Sequence, residues 1–392
     1  MVDGFILDYQ HCARLGVMRQ LLKLWLESEY HDCPWHIGRK VSLLNSLLLA
    51  VSPPTESART PRKSEDRAYW KASELRALSL FYGYVVLKPV LPRQFFKHFT
   101  LLSCGVYLLL KDEVTERDLL EARALLEKFV LQMGALYGTT NVSYNIHQLL
   151  HLTDSVEARG PLWATSCFSF EGRKAVLLNY FAGTQCVDEQ IARTFVLWQQ
   201  LSLWADRIEV PEGRAFFERM VGRQTIGRSG VRLSGDVVVH RRLSFSVTDI
   251  RLEVVLENHL GFLPLDITYY KRFQCNRIIW HTEAYSMPKR VNCVAQLQDA
   301  SADIVRALAV FDGSPTQMHP QYLVPIEKLQ LVRNVSFMDT QLGICSAAVR
   351  QGTRTGVVTA CSPNALKRKR VVMERTAASL FVLALPNQME RD

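Results

Sequence analysis

Asp8 and His11, in the stretch DYQHC, stand three residues apart where a short apolar run, Phe5-Ile6-Leu7, gives way to a helix-periodic segment. If a helix starts there, the carboxylate and the imidazole share one face. A carboxylate at the end of a strand that opens into a crevice is placed for metal or phosphate chemistry. The same carboxylate also serves as a plain helix N-cap. Glu171, in CFSFEGRKAVLLNYF, follows an aromatic run and heads another apolar-periodic helix. It is either a ligand or an acid favoured by the helix N-terminus. His147 and His151, in HQLLH, have the i, i+4 spacing that puts two imidazoles on one metal. Gln148 stands where the zinc-protease motif has its glutamate, which excludes that chemistry. The pair reads instead as structural histidines, largely buried between helices and without a metal. His31, Cys33 and His36 are too compact for a regular zinc module.

The elements that must hold these residues follow from periodicity. Leu15, Met18, Leu22, Trp25 and Leu26 recur at helical spacing. A Pro-rich stretch around Pro53, Pro54 and Pro61 predicts a surface loop. Residues 69–137 read as helical, with Thr115 as an N-cap, Asp118 three residues on, and Gly138 just past the end. Further helices cover NIHQLLHLTDSV, the segment headed by Glu171, and VDEQIARTFVLWQQLSLWADRI. After about residue 211 the texture changes to short β-branched and aromatic segments separated by turn residues. The expected class is α+β: a mainly helical region, 1–210, then a β-rich domain, 211–392.

The 392 residues are 48% hydrophobic, ample for a packed core. The nine cysteines form no CxxC, and no signal peptide opens the chain, so a reduced, intracellular setting is expected. No apolar run approaches the ~20 residues that span a bilayer. The net charge of +9 is uneven: residues 1–210 carry 23 Lys and Arg against 22 Asp and Glu, and the remainder carries nearly all of the excess. That asymmetry suggests a polyanion, DNA first, as partner of the second half. Lys367, Arg368, Lys369 and Arg370 run in succession, with Lys289 and Arg290 as a smaller pair. The run reads as a nuclear address, a phosphate-contacting patch or a solvated loop.

Several of these stretches occur in the order of a known family. DYQHC with LGV and RQLL, then YWKASELRALSLFY, then NVSYNIHQLLHL and GPLWATSCFSFE, resemble the C-terminal half of CACTA-type (En/Spm-like) DNA transposases, the animal versions most of all. The resemblance covers about residues 1–200, and more weakly the stretch from YYKRF to KRVN. It implies an RNase-H-like nuclease core interrupted by a helical insertion at about 40–140. It implies that the chain opens at a late strand of that core, with the earlier strands and first two acids missing. Asp8 and His11 match the family's D-x-x-H element, and Glu171 its last catalytic acid, so these three become the catalytic candidates. Asp8 and Glu171 would hold Mg²⁺ or Mn²⁺ if any activity is retained. They would then lie within ~10 Å of each other despite their distance in sequence. Lys174-Ala175 stands where the family has Asn-Gly, and a lysine there would compete with a metal. The resemblance thus implies a transposable-element-derived, nuclear, DNA-associated protein without strand cleavage of its own. A DNA- or RNA-binding module, or a self-associating scaffold forming a homo-oligomer, is the alternative.

Overall fold

The computed structural model describes residues 6–386 apart from 56, 58, 206, 221–229, 234–236, 241–243, 246–249, 263, 265, 277, 286–288, 300, 312–320, 332–348 and 377–378. Ile6 and Leu7 are irregular backbone, not a strand, and Phe5 lies outside the described residues. Up to Met220 the described elements are helical. A wide π-helical segment (Gln10–Met18) runs into α1 (Arg19–Leu26). Then come α2 (Val41–Leu49), α3 (Ala72–Ala77), α4 (Gly83–Val86), α5 (Arg93–Leu109), α6 (Glu116–Tyr137), α7 (Tyr144–Gln148), α8 (Leu152–Arg159), α9 (Cys167–Leu178), α10 (Val187–Ala205) and α11 (Pro211–Met220). The strand expected ahead of Asp8 therefore has no counterpart at residues 6 and 7. In the described part of 6–220 the β contact is one isolated bridge, Ser52 to Val372.

The core of this half is a helical hairpin. Phe95, Phe99, Leu102, Val106 and Leu109 repeat at helical spacing along α5, and Ala122, Leu125, Phe129, Met133 and Tyr137 do so along α6. All are buried in one cluster. Each large side chain contributes about 1.5–3 kcal/mol by leaving water. The start of α6 is fixed by a capping box: Thr115 Oγ1 accepts from the Asp118 N–H (3.2 Å), and Asp118 Oδ2 accepts from the Thr115 N–H (3.1 Å). Its end is Gly138, whose φ of +90° suits a residue without Cβ. At Gly105 an added Cβ would stand 2.8 Å from the Leu126 side chain, so the glycine sets how closely α5 and α6 approach. The Trp25 indole N–H donates to the Tyr137 hydroxyl (3.1 Å) and ties α1 to this hairpin.

The second half is strand-rich. Its elements are β1 (Gly230–Arg232), β2 (Val238–His240), β3 (Ser244–Phe245), α12 (Ile250–Leu260), β4 (Thr268–Tyr270), β5 (Arg272–Cys275), β6 (Ile278–His281), β7 (Val294–Leu297), β8 (Ala302–Val305), β9 (Leu308–Phe311), β10 (Gln321–Leu331), β11 (Val349–Cys361), β12 (Leu366–Lys369), β13 (Val371–Thr376) and β14 (Ser379–Leu383). The large sheet runs β12-β7-β8-β10-β11-β14-β13, with β9, β4 and β3 branching from β10; β1-β2-β5-β6 form a smaller one. Glu327, buried on β10, accepts from Arg306 (2.8 Å) and Arg354, and both arginines also meet Glu283. Hydrogen bonding from Arg354 holds the Glu327 carboxyl below its ordinary range against the opposing effect of burial.

The two halves share a core. Val371 and Met373 of β13 join the apolar cluster of the helices. The Pro-rich segment lies in this junction and is not the surface loop its composition suggests: Pro53, Pro54 and Pro61 are buried. Asn292 Oδ1 accepts from the Thr55 N–H (2.8 Å) and Oγ1 (3.0 Å), and Arg290 donates to the Pro54 carbonyl (2.8 Å). Its prolines supply rigid apolar surface, and the second half supplies the hydrogen-bond partners that its backbone cannot find locally. Among the described residues no helix is long and apolar enough to cross a membrane.

Candidate functional site

Asp8 sits at the mouth of two helices. Its Oδ2 accepts the N–H of His11 (3.1 Å), and its Oδ1 the N–H of Gln10 (3.3 Å), which caps the π-helical segment. Oδ1 also accepts the N–H of Cys167, the first residue of α9, at 3.0 Å. One side chain thus satisfies orphan donors of two helices distant in sequence. The local sequence explains why they meet. Tyr9, fully buried, packs its ring 6.2 Å from that of Phe168. Ser166 adds its own cap, accepting from the Phe168 N–H at 3.2 Å. Gly16 allows the segment to press on Asn145 of α7, where a Cβ would lie 2.5 Å from the amide carbon.

The imidazole of His11 lies over this junction. Its Nδ1 is 2.5 Å from Asp8 Oδ2, and its Nε2 is 3.9 Å from Glu171 Oε1. The carboxylates of residues 8 and 171 therefore face one another across a single ring. The Asp8 side chain is 16% exposed, while those of His11 and Glu171 are 57% and 60% exposed, so the pair opens outward from a half-buried base. Burial opposes ionisation of Asp8. The Cys167 N–H, the His11 ring and the N–H groups of His11 and Gln10 outweigh it and hold the carboxyl below its ordinary value. Burial first, then the Asp8 charge and its hydrogen bond, then Glu171, push the Cys167 thiol up. Donor atoms of Asp8, His11 and Cys167 all lie within 4.8 Å of one another.

Cys167 is the residue that sequence reasoning missed. Its signal was present: it precedes Glu171 by four positions, one helical turn, and so shares that residue's face. The cluster it completes has one oxygen, one nitrogen and one sulfur donor. Mg²⁺ demands near-octahedral oxygen ligation, and paired-metal nucleases surround their ions with carboxylates. The donor set does not fit a Mg²⁺ pair. Lys174, exposed and one turn beyond Glu171 on α9, adds positive charge on the same side.

The remaining candidates lie elsewhere. His147 and His151 stack edge to face on each other, with ring centroids 5.2 Å apart. They are exposed, which corrects the expectation of burial. The apolar face here is Ile146, Leu149, Leu152 and Val156, and the histidines fall on the opposite side. The basic run is also corrected. Lys369 is 3% exposed and donates to Thr55 Oγ1 (3.3 Å); Arg368 reaches Asp112 (3.4 Å) and the Leu385 carbonyl (3.2 Å); Arg370 is half-buried, and desolvation pushes its pKa down to about 10. Residues 366–369 form a strand whose register slips between Leu366 and Arg368, leaving Leu366 and Lys369 buried, Lys367 exposed and Arg368 half-buried, so four consecutive cations do not make one solvent-facing patch. Lys367 and Lys289 are exposed, while Arg290 is committed to the Pro54 and Ser57 carbonyls.

The fold and site thus define an α+β chain whose helical half carries a mixed oxygen–nitrogen–sulfur donor cluster at the meeting of two helix N-termini. No family model, curated protein or solved structure matches it.

Proposed function

We propose that this chain is a transposable-element-derived protein, descended from the C-terminal part of a CACTA-type, DDE-class transposase, that associates with DNA in the nucleus and does not cleave it alone. One observation carries the reading: Asp8 and Glu171, paired on the strength of a motif order and separated by more than 160 positions, flank the same His11 ring. Unrelated carboxylates so far apart in sequence have no reason to meet across a third member of the same motif set. The absence of cleavage follows from the donors, since two carboxylates on either side of an imidazole, with a thiol beside them, are a poor cradle for two hard cations. The site then survives as architecture, and the DNA partner follows from the basic second half. The test uses the purified chain with supercoiled plasmid and Mg²⁺ or Mn²⁺. No nicking is expected, together with duplex binding that weakens steeply with salt. Nicking lost in Glu171→Gln overturns the non-cleaving assignment, and absent or salt-insensitive binding removes DNA as partner.

A second reading, a self-associating module, is favoured by one feature. Phe195, Val196, Trp198 and Trp204 of α10 and Leu178 of α9 are exposed, a concentration of large apolar side chains that single surface residues do not explain. Light scattering of the full chain tests it: a dimer that Trp198→Asp converts to monomer supports it, and a monomer at high concentration ends it.

A further inference from the structure

We infer that Asp8, His11 and Cys167 form a binding site for one thiophilic dication of the Zn²⁺ type, with water as the fourth ligand. The inference uses the residues of the site described above but not their ancestry.

The donor types select the metal. A carboxylate oxygen, an imidazole nitrogen and a cysteine sulfur are the ligands zinc takes, while Mg²⁺ takes neither of the last two readily. The geometry is close to what the ion requires. Tetrahedral zinc at ~2.0–2.3 Å from its ligands sets donors about 3.3–3.8 Å apart. Here all three donor atoms fall within 4.8 Å of one another, and His11 Nδ1 stands 2.5 Å from Asp8 Oδ2, closer than two ligands of one zinc. An ion entering between them need only part the imidazole from the carboxylate. The site is also supported from behind. Asp8 is fixed by N–H groups of Gln10, His11 and Cys167, and such outer contacts orient a ligating carboxylate. Cys167 is fixed by its own N–H to that same carboxylate, so the two ligands are positioned as a unit.

The front of the site is open. His11 and Glu171 are more than half exposed, and Glu171 Oε1 lies 3.9 Å from His11 Nε2. Three protein donors with one open or exchangeable position is the arrangement of reactive zinc centres, whereas structural zinc is enclosed by four protein ligands. Neighbouring cysteines do not supply an alternative fourth donor. Cys12, the nearest along the chain, directs its thiol to the Asn145 carbonyl (3.4 Å).

The full chain, freed of metal, is titrated with Zn²⁺ and with Co²⁺. One equivalent of each is expected to bind, and the Co²⁺ complex should show a sulfur-to-metal charge-transfer band. Cys167→Ser should abolish that band and weaken Zn²⁺ by more than the ~10–100-fold that loss of an outer-shell partner costs. His11→Gln should weaken Zn²⁺ by a similar factor. Both substitutions lie at exposed or half-exposed positions, and an unchanged metal-free melting curve confirms that the variants fold. A charge-transfer band that persists in Cys167→Ser overturns the inference, because another thiol then binds. Absence of Zn²⁺ binding overturns it as well. Binding of Mn²⁺ that depends on Glu171 and not on Cys167 overturns it while leaving the transposase reading intact, and salt-insensitive DNA binding with an intact zinc site does the reverse.

Discussion

The carboxylate of Asp8 accepts the backbone N–H of Cys167 at 3.0 Å, across 159 positions of sequence. Through that bond the start of the π-helical segment and the start of α9 share a cap. Without it, orphan N–H groups of both helices would be left at a half-buried junction. Asp8→Ala is expected to cost about 2 kcal/mol, in the upper range for a single cap because two helices lose their acceptor. Urea denaturation checks this. A loss under ~0.5 kcal/mol would mean that water replaces the carboxylate at no cost.

The same carboxyl predicts an acid-labile term. Its folded pKa lies below the unfolded value of about 3.9. The unfolded chain therefore takes up this proton first as pH falls. The stabilisation is present in full above the unfolded pKa and is lost as pH falls through the lowered folded value. In Asp8→Asn the stability–pH curve below pH 4 is expected to be shallower than in the parent. Parallel curves would show that the hydrogen bonds to Asp8 do not depend on its charge.

A register slip between Leu366 and Arg368 of β12 makes Lys367 and Lys369 opposites, although an unbroken strand would set residues two apart on one face. Lys369 is buried against Thr55, while Lys367 points to solvent. Lys369→Ala is expected to lower the melting temperature by several degrees through loss of the buried stem and its hydrogen bond. Lys367→Ala should leave it within the range of ordinary surface substitutions, ±0.5 kcal/mol. If only Lys367 matters for DNA binding, its variant should lower the salt slope by about one. Equal thermal effects at the two positions would contradict the burial of Lys369 and the exposure of Lys367.

How much of this was readable beforehand depended on the range of each signal. The limits of α6 were legible because Thr115, Asp118 and Gly138 act within a few residues of themselves. The order of a helical region before a strand-rich one was legible for the same reason, although Pro211–Met220, expected in the β-rich part, is still a helix. The basic run was not, since nothing in a block of four cations marks the register slip between Leu366 and Arg368 with which Lys369 comes to be buried. The Pro-rich segment was misread because its partners, Asn292 and Arg290, lie more than 230 positions on. HQLLH misled through its spacing, as i, i+4 says which residues share a face but not whether that face turns inward. Cys167 was overlooked because its spacing from Glu171 marks only a shared helix face, and it becomes a ligand candidate only when Asp8 and His11 are set beside it in space.

The α5–α6 crossing rests on Gly105, whose missing side chain admits Leu126. Replacing it with alanine raises helix propensity by about 1 kcal/mol. It also places a Cβ 2.8 Å from the Leu126 Cγ, and Leu126 is buried on every side. Overpacking of this kind costs about 1–3 kcal/mol, so net destabilisation is expected. The double variant with Leu126→Ala should be less destabilised than the two single losses added together, because the clash is then removed. Strict additivity in denaturant unfolding would show that the helices separate freely.

His98 supplies the clearest pH dependence in the helical half. Its ring is fully buried, stacked 4.0 Å from that of Phe129, with Nε2 2.8 Å from the Phe129 carbonyl. Since a carbonyl only accepts, Nε2 carries the proton of the neutral ring, while the buried Nδ1 has no hydrogen-bond partner among the described residues. Burial pushes its pKa down to about 4 against the opposing pull of that carbonyl. The unfolded histidine titrates near 6.5. Between those values the unfolded chain binds a proton that the folded chain refuses, so stability falls as pH drops from about 6.5 towards 4, by about 3 kcal/mol in full. Above pH 6.5 the histidine imposes no such penalty. His281, pushed down to about 3 by burial and then by Lys369 and Arg272, acts in the same direction from the strand-rich half. His98→Gln should therefore flatten part of the limb between pH 6.5 and 4 in urea midpoints, and the double variant with His281→Gln should flatten more. An unchanged slope in His98→Gln would mean that the ring is protonated inside the fold, where the α5–α6 core offers it no carboxylate.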